Sequence, residues 1–166
     1  MKELCTLAFL FPLLTSLTFA EEPPPKKVVY TDIVGDLFHA GHIEFLKKAR
    51  TFGDYLIVGV LADDTVEDYK RRPILTLQER VKIVEACKYV DEVLVAPPLR
   101  LTEELIQKHQ ITYVVHGDDF NKELLEDQYG LALKLGIFRT VPYTPGISTT
   151  NIIHRIAERH DLGEFK

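Results

Sequence analysis

The sequence predicts an α/β fold, a doubly wound five-stranded parallel sheet flanked by helices. Three observations predict it. From residue 27 onward, short apolar runs of strand length alternate with amphipathic helical patterns. One run, Tyr55-Leu56-Ile57-Val58-Gly59-Val60-Leu61, is apolar throughout, as a strand covered on both faces must be. The segments richest in His, Asp, Arg, Ser and Thr each follow a predicted strand: Asp36 to His42 the first, Asp63 to Arg72 the second, His116 to Phe120 the fourth, Gly146 to Thr150 the last. Ligands of doubly wound sheets bind there, outside the carboxyl ends of the strands and near the point where strand order reverses.

The elements follow in order. Val28-Val29-Tyr30 makes a short buried strand within 27–31. Residues 43–52 read as a helix whose apolar side carries Ile43, Phe45, Leu46 and Ala49; Gly53-Asp54 breaks it. The second strand is 55–61. Asp63 to Pro73 is charged and reads as a site loop or a short helix. Thr76-Leu77-Gln78-Glu79 is a capping box, opening a helix with Val81, Ile83, Val84 and Cys87 on its buried face. Val93-Leu94-Val95 is a strand, ended by Pro97-Pro98. A short helix over 102–109 leads to a strand at 113–115. Residues 122–135 are helical apart from Gly130, 137–141 form the fifth strand, and the last helix follows Thr149 with Ile152, Ile153 and Ile156. There is no internal repeat and no low-complexity segment.

Bulk composition narrows the function. The chain has 166 residues, one domain's worth of core. Its net charge of −5, from 20 basic and 25 acidic residues, argues against a general nucleic-acid binder, which needs a basic face. Two cysteines, Cys5 and Cys87, form no metal-ligand spacing and no disulfide framework, and no metal site is expected from the protein's own side chains. Leu4 to Ala20 is apolar and nearly uncharged, ends in Thr18-Phe19-Ala20, and is followed by Glu21-Glu22-Pro23-Pro24-Pro25. Residues 1–20 therefore read as a signal peptide or membrane anchor, or as residues added by a misassigned start. Residues 21–26 read as a stiff linker and 27–166 as the catalytic domain.

Two segments carry chemistry. His39-Ala40-Gly41-His42 sets two imidazoles three residues apart, on one side of a helical turn. Gly41 removes a side chain where something must approach the backbone. The free N–H groups and positive dipole end of a helix start favour phosphate. By itself the motif is equally a pair of surface or core histidines. Thr144-Pro145-Gly146-Ile147-Ser148-Thr149-Thr150 brings a turn and three hydroxyls to a second helix start, where Ser148 or Thr149 suits the N-cap. Simple capping explains that segment alone; the two together suggest a triphosphate clamp.

Those segments, with Gly59 to Asp64, Glu79-Arg80, Tyr89-Val90-Asp91-Glu92-Val93 and His116-Gly117-Asp118-Asp119, stand in the order seen in CTP-dependent cytidylyltransferases. The chain resembles that family over roughly residues 27–156, especially members acting on ethanolamine phosphate, choline phosphate or glycerol 3-phosphate. The four-residue histidine motif is shared with the wider superfamily, adenylyl-transferring enzymes included. The resemblance implies a Rossmann-like domain that transfers CMP from CTP to a small phosphorylated alcohol, with ethanolamine phosphate favoured, in phospholipid precursor synthesis. It implies Mg²⁺ entering with CTP, and a homodimer.

By the same resemblance, His39, His42 and Lys70 are catalytic. Asp36, Gly41 and Arg80 face the nucleotide, as do Gly146, Ile147, Ser148, Thr149 and Thr150. Asp118 and Asp119 reach the acceptor or the base, and Phe120 offers an apolar wall. Two departures stand out. The family's Gly-x-Phe-Asp is here Ile33-Val34-Gly35-Asp36, and its Arg-Thr before the hydroxyls is Tyr143-Thr144, with Arg139 a nearby substitute for the missing charge. The alternatives are an ATP-using adenylyltransferase and a catalytically weakened nucleotide-binding or scaffold domain. Because CTP is cytosolic, the expected place is the cytoplasmic face of a membrane, tethered through residues 4–20; the alternative is export.

Overall fold

A computed structural model describes residues 25–119 and 121–165. Eleven elements follow one another: β1 (Val28–Ile33), α1 (Ala40–Arg50), β2 (Tyr55–Val60), α2 (Asp63–Glu67), α3 (Leu77–Glu85), β3 (Glu92–Val95), α4 (Glu103–Lys108), β4 (Ile111–Gly117), α5 (Lys122–Lys134), β5 (Phe138–Val141) and α6 (Thr149–Asp161). The strands form one parallel sheet in the order β3-β2-β1-β4-β5. Winding runs outward from β1 to β3, then crosses to β4 and continues to β5. The reversal lies between β1 and β4.

Burial follows from that order. β1 is central and buried at all six positions, and β2 at all but its first. Side chains of β1 alternate between two cores. Val29 and Ile33 join Leu46 and Ala49 of α1 and Val81 and Val84 of α3 on one face. Val28 and Tyr30 join Leu101 and the α5 residues Tyr129 and Ala132 on the other. Helices thus cover both faces, as the apolar run of β2 requires.

Several boundaries differ from the sequence expectation. α1 begins at Ala40 because the histidine motif caps it; the motif is itself the helix start. β1 runs two residues past Thr31, pairing Asp32 and Ile33 with Gly59 and Val60. α5 continues through Gly130, since a single glycine costs only about 1 kcal/mol and Gln128, Tyr129 and Ala132 are buried beside it. Cys87 lies just beyond α3, whose C-cap is Ala86, half-buried against the first core. α2 resolves the loop-or-helix alternative, and the Thr76–Glu79 capping box forms as expected. Residues 1–20, most of the 21–26 linker and Phe120 lie outside the described residues. No helix among the described residues is long and apolar enough to cross a membrane.

Candidate active site

A cavity of about 610 Å³ opens at the carboxyl ends of β1, β4 and β5, at the strand-order reversal. It gathers residues from each of the four segments that follow strands: Asp36, His39, Gly41 and His42 after β1, Lys70 after α2, His116 and Asp119 at the end of β4, and Ile147 to Thr150 at the start of α6.

The two imidazoles are built into the backbone. His39 is the N-cap of α1, and its Nδ1 accepts the Gly41 N–H at 3.1 Å. His42 Nδ1 accepts the His39 N–H at 3.2 Å. The network assigns the tautomer: with both Nδ1 atoms accepting, each neutral ring carries its proton on Nε2. Each ring therefore keeps one N–H donor for a ligand. The ring centroids are 4.0 Å apart, and Phe38 stacks on His42. Burial, aided by His39, pushes His42 down to about 4, and burial also lowers His39. The group that approaches Gly41 is His39 itself: a Cβ there would sit 2.9 Å from the His39 ring and 3.3 Å from an Ile147 methyl.

Asp36 organises the rest. It is 3% exposed. Its Oδ1 accepts the N–H groups of Ile74 and Leu75, each at 3.0 Å, and its Oδ2 meets the Arg71 guanidinium at 2.8 Å. Burial alone would raise this carboxyl; the two N–H groups and Arg71 outweigh it and hold the carboxyl below its usual range. The carboxylate thus pins the segment that carries Lys70 and Arg71 to the end of β1. The displaced glycine has a reason here, since Gly35 takes φ +69°, a left-handed conformation. The Thr149 hydroxyl donates to the Asp36 carbonyl at 2.9 Å, tying α6 to the same turn. Ser148, not Thr149, caps α6, accepting the Asn151 N–H at 3.1 Å.

Three residues stand elsewhere than the resemblance implied, and Arg139 does not reach the place offered to it. Arg80 is wholly buried, outside the cavity; its guanidinium bonds the carbonyls of Val34, Leu61 and Leu75 and the Asp63 carboxylate. It holds three site loops together. Asp118 accepts the Tyr143 N–H at 2.9 Å and so shapes the β5–α6 loop, while Asp119 alone of the pair lines the cavity. Gly146 sits in a shallow outer depression with Asn151 and His154, at φ +90°. Arg139 bonds the carbonyls of Gly136 and Phe138 and lies over the Tyr113 ring, away from the cavity that Tyr143 lines.

The sequence reading missed Asp32. This carboxylate lines the cavity and is 5% exposed. The Tyr129 hydroxyl donates to its two oxygens at 2.7 and 2.8 Å. Burial raises it to about 6, against the opposing pull of Tyr129 and the Lys70 charge. His116, between the rings of Phe45 and Tyr129, is lowered by burial to about 4. An aspartate at the end of an apolar strand was the available signal for Asp32.

Fold and site together define a class, a nucleotidyltransferase-type α/β domain of Rossmann-like winding. The model of the cytidylyltransferase-like family matches residues 36–155, from Asp36 into α6, and the chain belongs to that family. It is 45% identical over 148 residues to the ethanolamine-phosphate cytidylyltransferase of Dictyostelium discoideum, an alignment covering 84% of this chain and 41% of that protein. It is 37% identical over 137 residues to choline-phosphate cytidylyltransferase A of Homo sapiens, covering 81% and 37% respectively. The chain spans about two fifths of the length of these curated relatives. Among solved structures, the lipopolysaccharide core biosynthesis protein from Thermoplasma volcanium superposes with a TM-score of 0.59 at 25% identity, covering 74% of this chain and all of that one.

Proposed function

We propose that the protein transfers CMP from CTP to ethanolamine phosphate and releases pyrophosphate, supplying a phospholipid precursor. An oxygen of the acceptor phosphate attacks the α-phosphorus in line, the bond to the β-phosphate oxygen breaks, and pyrophosphate leaves. Such a step needs positioning and charge stabilisation more than covalent help. The Nε2–H donors of His39 and His42, Lys70 and the Thr150 hydroxyl supply that stabilisation.

The observation that carries the acceptor is Asp32. A buried carboxylate in a phosphate-binding cavity is unfavourable for a glycerol-type acceptor and complementary to an ammonium. The ethanolamine-phosphate relative is also more similar to this chain than the choline-phosphate one. Among the described residues, no group of three or more His, Cys, Asp or Glu could hold a metal ion. Mg²⁺ would enter on the triphosphate, with Asp119 as a cavity carboxylate able to meet it. When bound, the ion neutralises phosphate charge.

The proposal extends to assembly and place. Exposed Ile156, Leu162 and Phe165, on and just after α6, support a homodimer. A cytosolic substrate and a membrane-bound use of the product support a domain tethered through residues 4–20 on the cytoplasmic face, over export. A membrane-bound, protease-accessible domain is the expected outcome of fractionation.

Pyrophosphate release from the full chain tests the reading, with CTP and ATP each offered ethanolamine phosphate, choline phosphate and glycerol 3-phosphate. The expected result is CTP with ethanolamine phosphate. Asp32→Asn should then raise the KM for the acceptor by about tenfold or more, as expected for a lost charged contact, and leave the KM for CTP unchanged. The tyrosine at position 143 favours a second reading, a nucleotide-binding domain of weakened activity; absence of pyrophosphate release with every pair, alongside retained CTP binding, would establish that one.

A further inference from the structure

The cavity contains a guanidinium that the reaction as proposed does not use. Among the described residues lining it, Arg71 is the sole arginine. Arg80 and Arg139 do not line it, and their donors are taken up by protein carbonyls and, for Arg80, by the Asp63 carboxylate. Where the family resemblance expects an arginine, this chain has Tyr143, which lines the same cavity with its side chain half exposed. One positive charge is therefore missing from its expected place, and one is present in the basic run Lys70-Arg71-Arg72 after the second strand.

The surroundings of Arg71 suit a phosphate ligand. Its side chain is 44% exposed, yet it is held: NH2 reaches Asp36 Oδ2 at 2.8 Å and NH1 the Arg72 carbonyl at 2.9 Å. A guanidinium has five N–H donors, so others remain for a ligand. Asp36 does not depend on Arg71 alone, because its other oxygen already accepts two backbone N–H groups. The Asp36 carbonyl accepts the Thr149 hydroxyl, which places this ion pair beside the hydroxyl-bearing start of α6. A guanidinium anchored on one edge to a carboxylate is pre-aimed, and its fork matches phosphate oxygens two at a time.

We propose that Arg71 binds the phosphate chain of the nucleotide and replaces the charge this chain lacks at Tyr143. The inference rests on the CTP reading above. Arg71 binds and orients; His39 and His42 keep their own contacts.

The test is CTP affinity by calorimetry, with steady-state KM values, on the full chain. Arg71→Gln is expected to weaken CTP about 10- to 100-fold, the scale of one charge-assisted bidentate contact, and to leave the acceptor KM within about threefold. Arg71→Lys restores only part of the affinity, because an ammonium lacks the fork. Tyr143→Arg added to Arg71→Gln regains about fivefold or more, since it returns the missing charge. Unchanged CTP affinity in a folded Arg71→Gln protein overturns the proposal. So does an equal loss for the acceptor, or no recovery on adding Tyr143→Arg. If Arg71→Gln does not fold, Tyr143→Arg alone decides: with Arg71 present it should tighten CTP by less than about twofold, and a gain of about tenfold overturns the proposal. A wild-type protein that binds no CTP overturns the nucleotide reading itself, a failure distinct from all of these.

Discussion

At the start of α1, His39 and His42 act through two different nitrogens. Nδ1 of each ring closes the capping box, and Nε2 is left to donate. Replacing either ring therefore has two separable consequences. His39→Ala and His42→Ala should each lower turnover by about 10²- to 10³-fold, the scale of losing a preorganised donor, and destabilise the fold by only about 1 kcal/mol, the scale of a lost cap. Turnover and denaturant unfolding on the same samples check both numbers; near-normal turnover in either folded variant removes the assignment. Gly41→Ala should act through His39, since its Cβ would press on that ring. Its rate loss should therefore follow that of His39→Ala more closely than its stability does. At this scale much of the site was legible, because imidazoles, lysine and hydroxyls declare their chemistry in the sequence. Asp32 was not, because its role depends on Tyr129, which is 97 residues away and bonded to it only in the folded chain.

Elements decide which of the legible residues meet a ligand. Three adjacent hydroxyl residues at the start of α6 all line the cavity, and two of them also have protein partners: Ser148 closes the helix end and Thr149 ties it to the β1–α1 turn. Ser148→Ala should cost about 0.5–2 kcal/mol of stability with little change in CTP affinity. Thr149→Val should weaken CTP binding by about tenfold, because it frees α6 from the Asp36 turn and lets a clamp group move by a fraction of an ångström. Nucleotide titration and thermal unfolding of the two variants separate these outcomes. Arg80 gives the contrasting case. It lies four residues before Val84, so the helical period places both on one face of α3. That spacing could have marked it as inward-facing; the resemblance alone could not. Arg80→Met should destabilise by about 3 kcal/mol or more, because Asp63 and three loop carbonyls lose their shared donor. The strand–helix alternation was readable from periodicity, whereas strand ends and the path through Gly130 were set by pairing and burial that no local pattern records.

For the molecule as a whole, the sheet collects its buried carboxyl and imidazole groups at one end. Asp32, His42 and His116 all line the cavity, so the pH dependence of folding should originate in the site. His42 and His116 are each held near 4 by burial, against about 6.5 in an unfolded chain. Between those values the unfolded chain binds protons that the folded one refuses. Their stabilising contribution is full above about pH 6.5 and is lost as pH falls toward 4. Asp32 has the opposite sign. It is raised by burial to about 6, so the folded protein holds a proton that the unfolded one has released, and its contribution is lost as pH rises from about 4 through 6. His39, also lowered by burial, has the same sign as His42 and His116, so three imidazoles oppose one carboxyl. Net stability should fall on acidification from pH 7 to 4 with a slope of at least about one proton, about 1.4 kcal/mol per pH unit for each proton. Asp36, held below its usual range, adds loss only at still lower pH. Asp32→Asn removes the opposing group, so it should steepen the slope between pH 4 and 6, whatever it does to stability at pH 7. Denaturant midpoints of wild type and variant across that range decide the matter. Parallel curves would show that Asp32 is already ionised in the folded protein, and the ammonium pocket proposed around it would then be open to water.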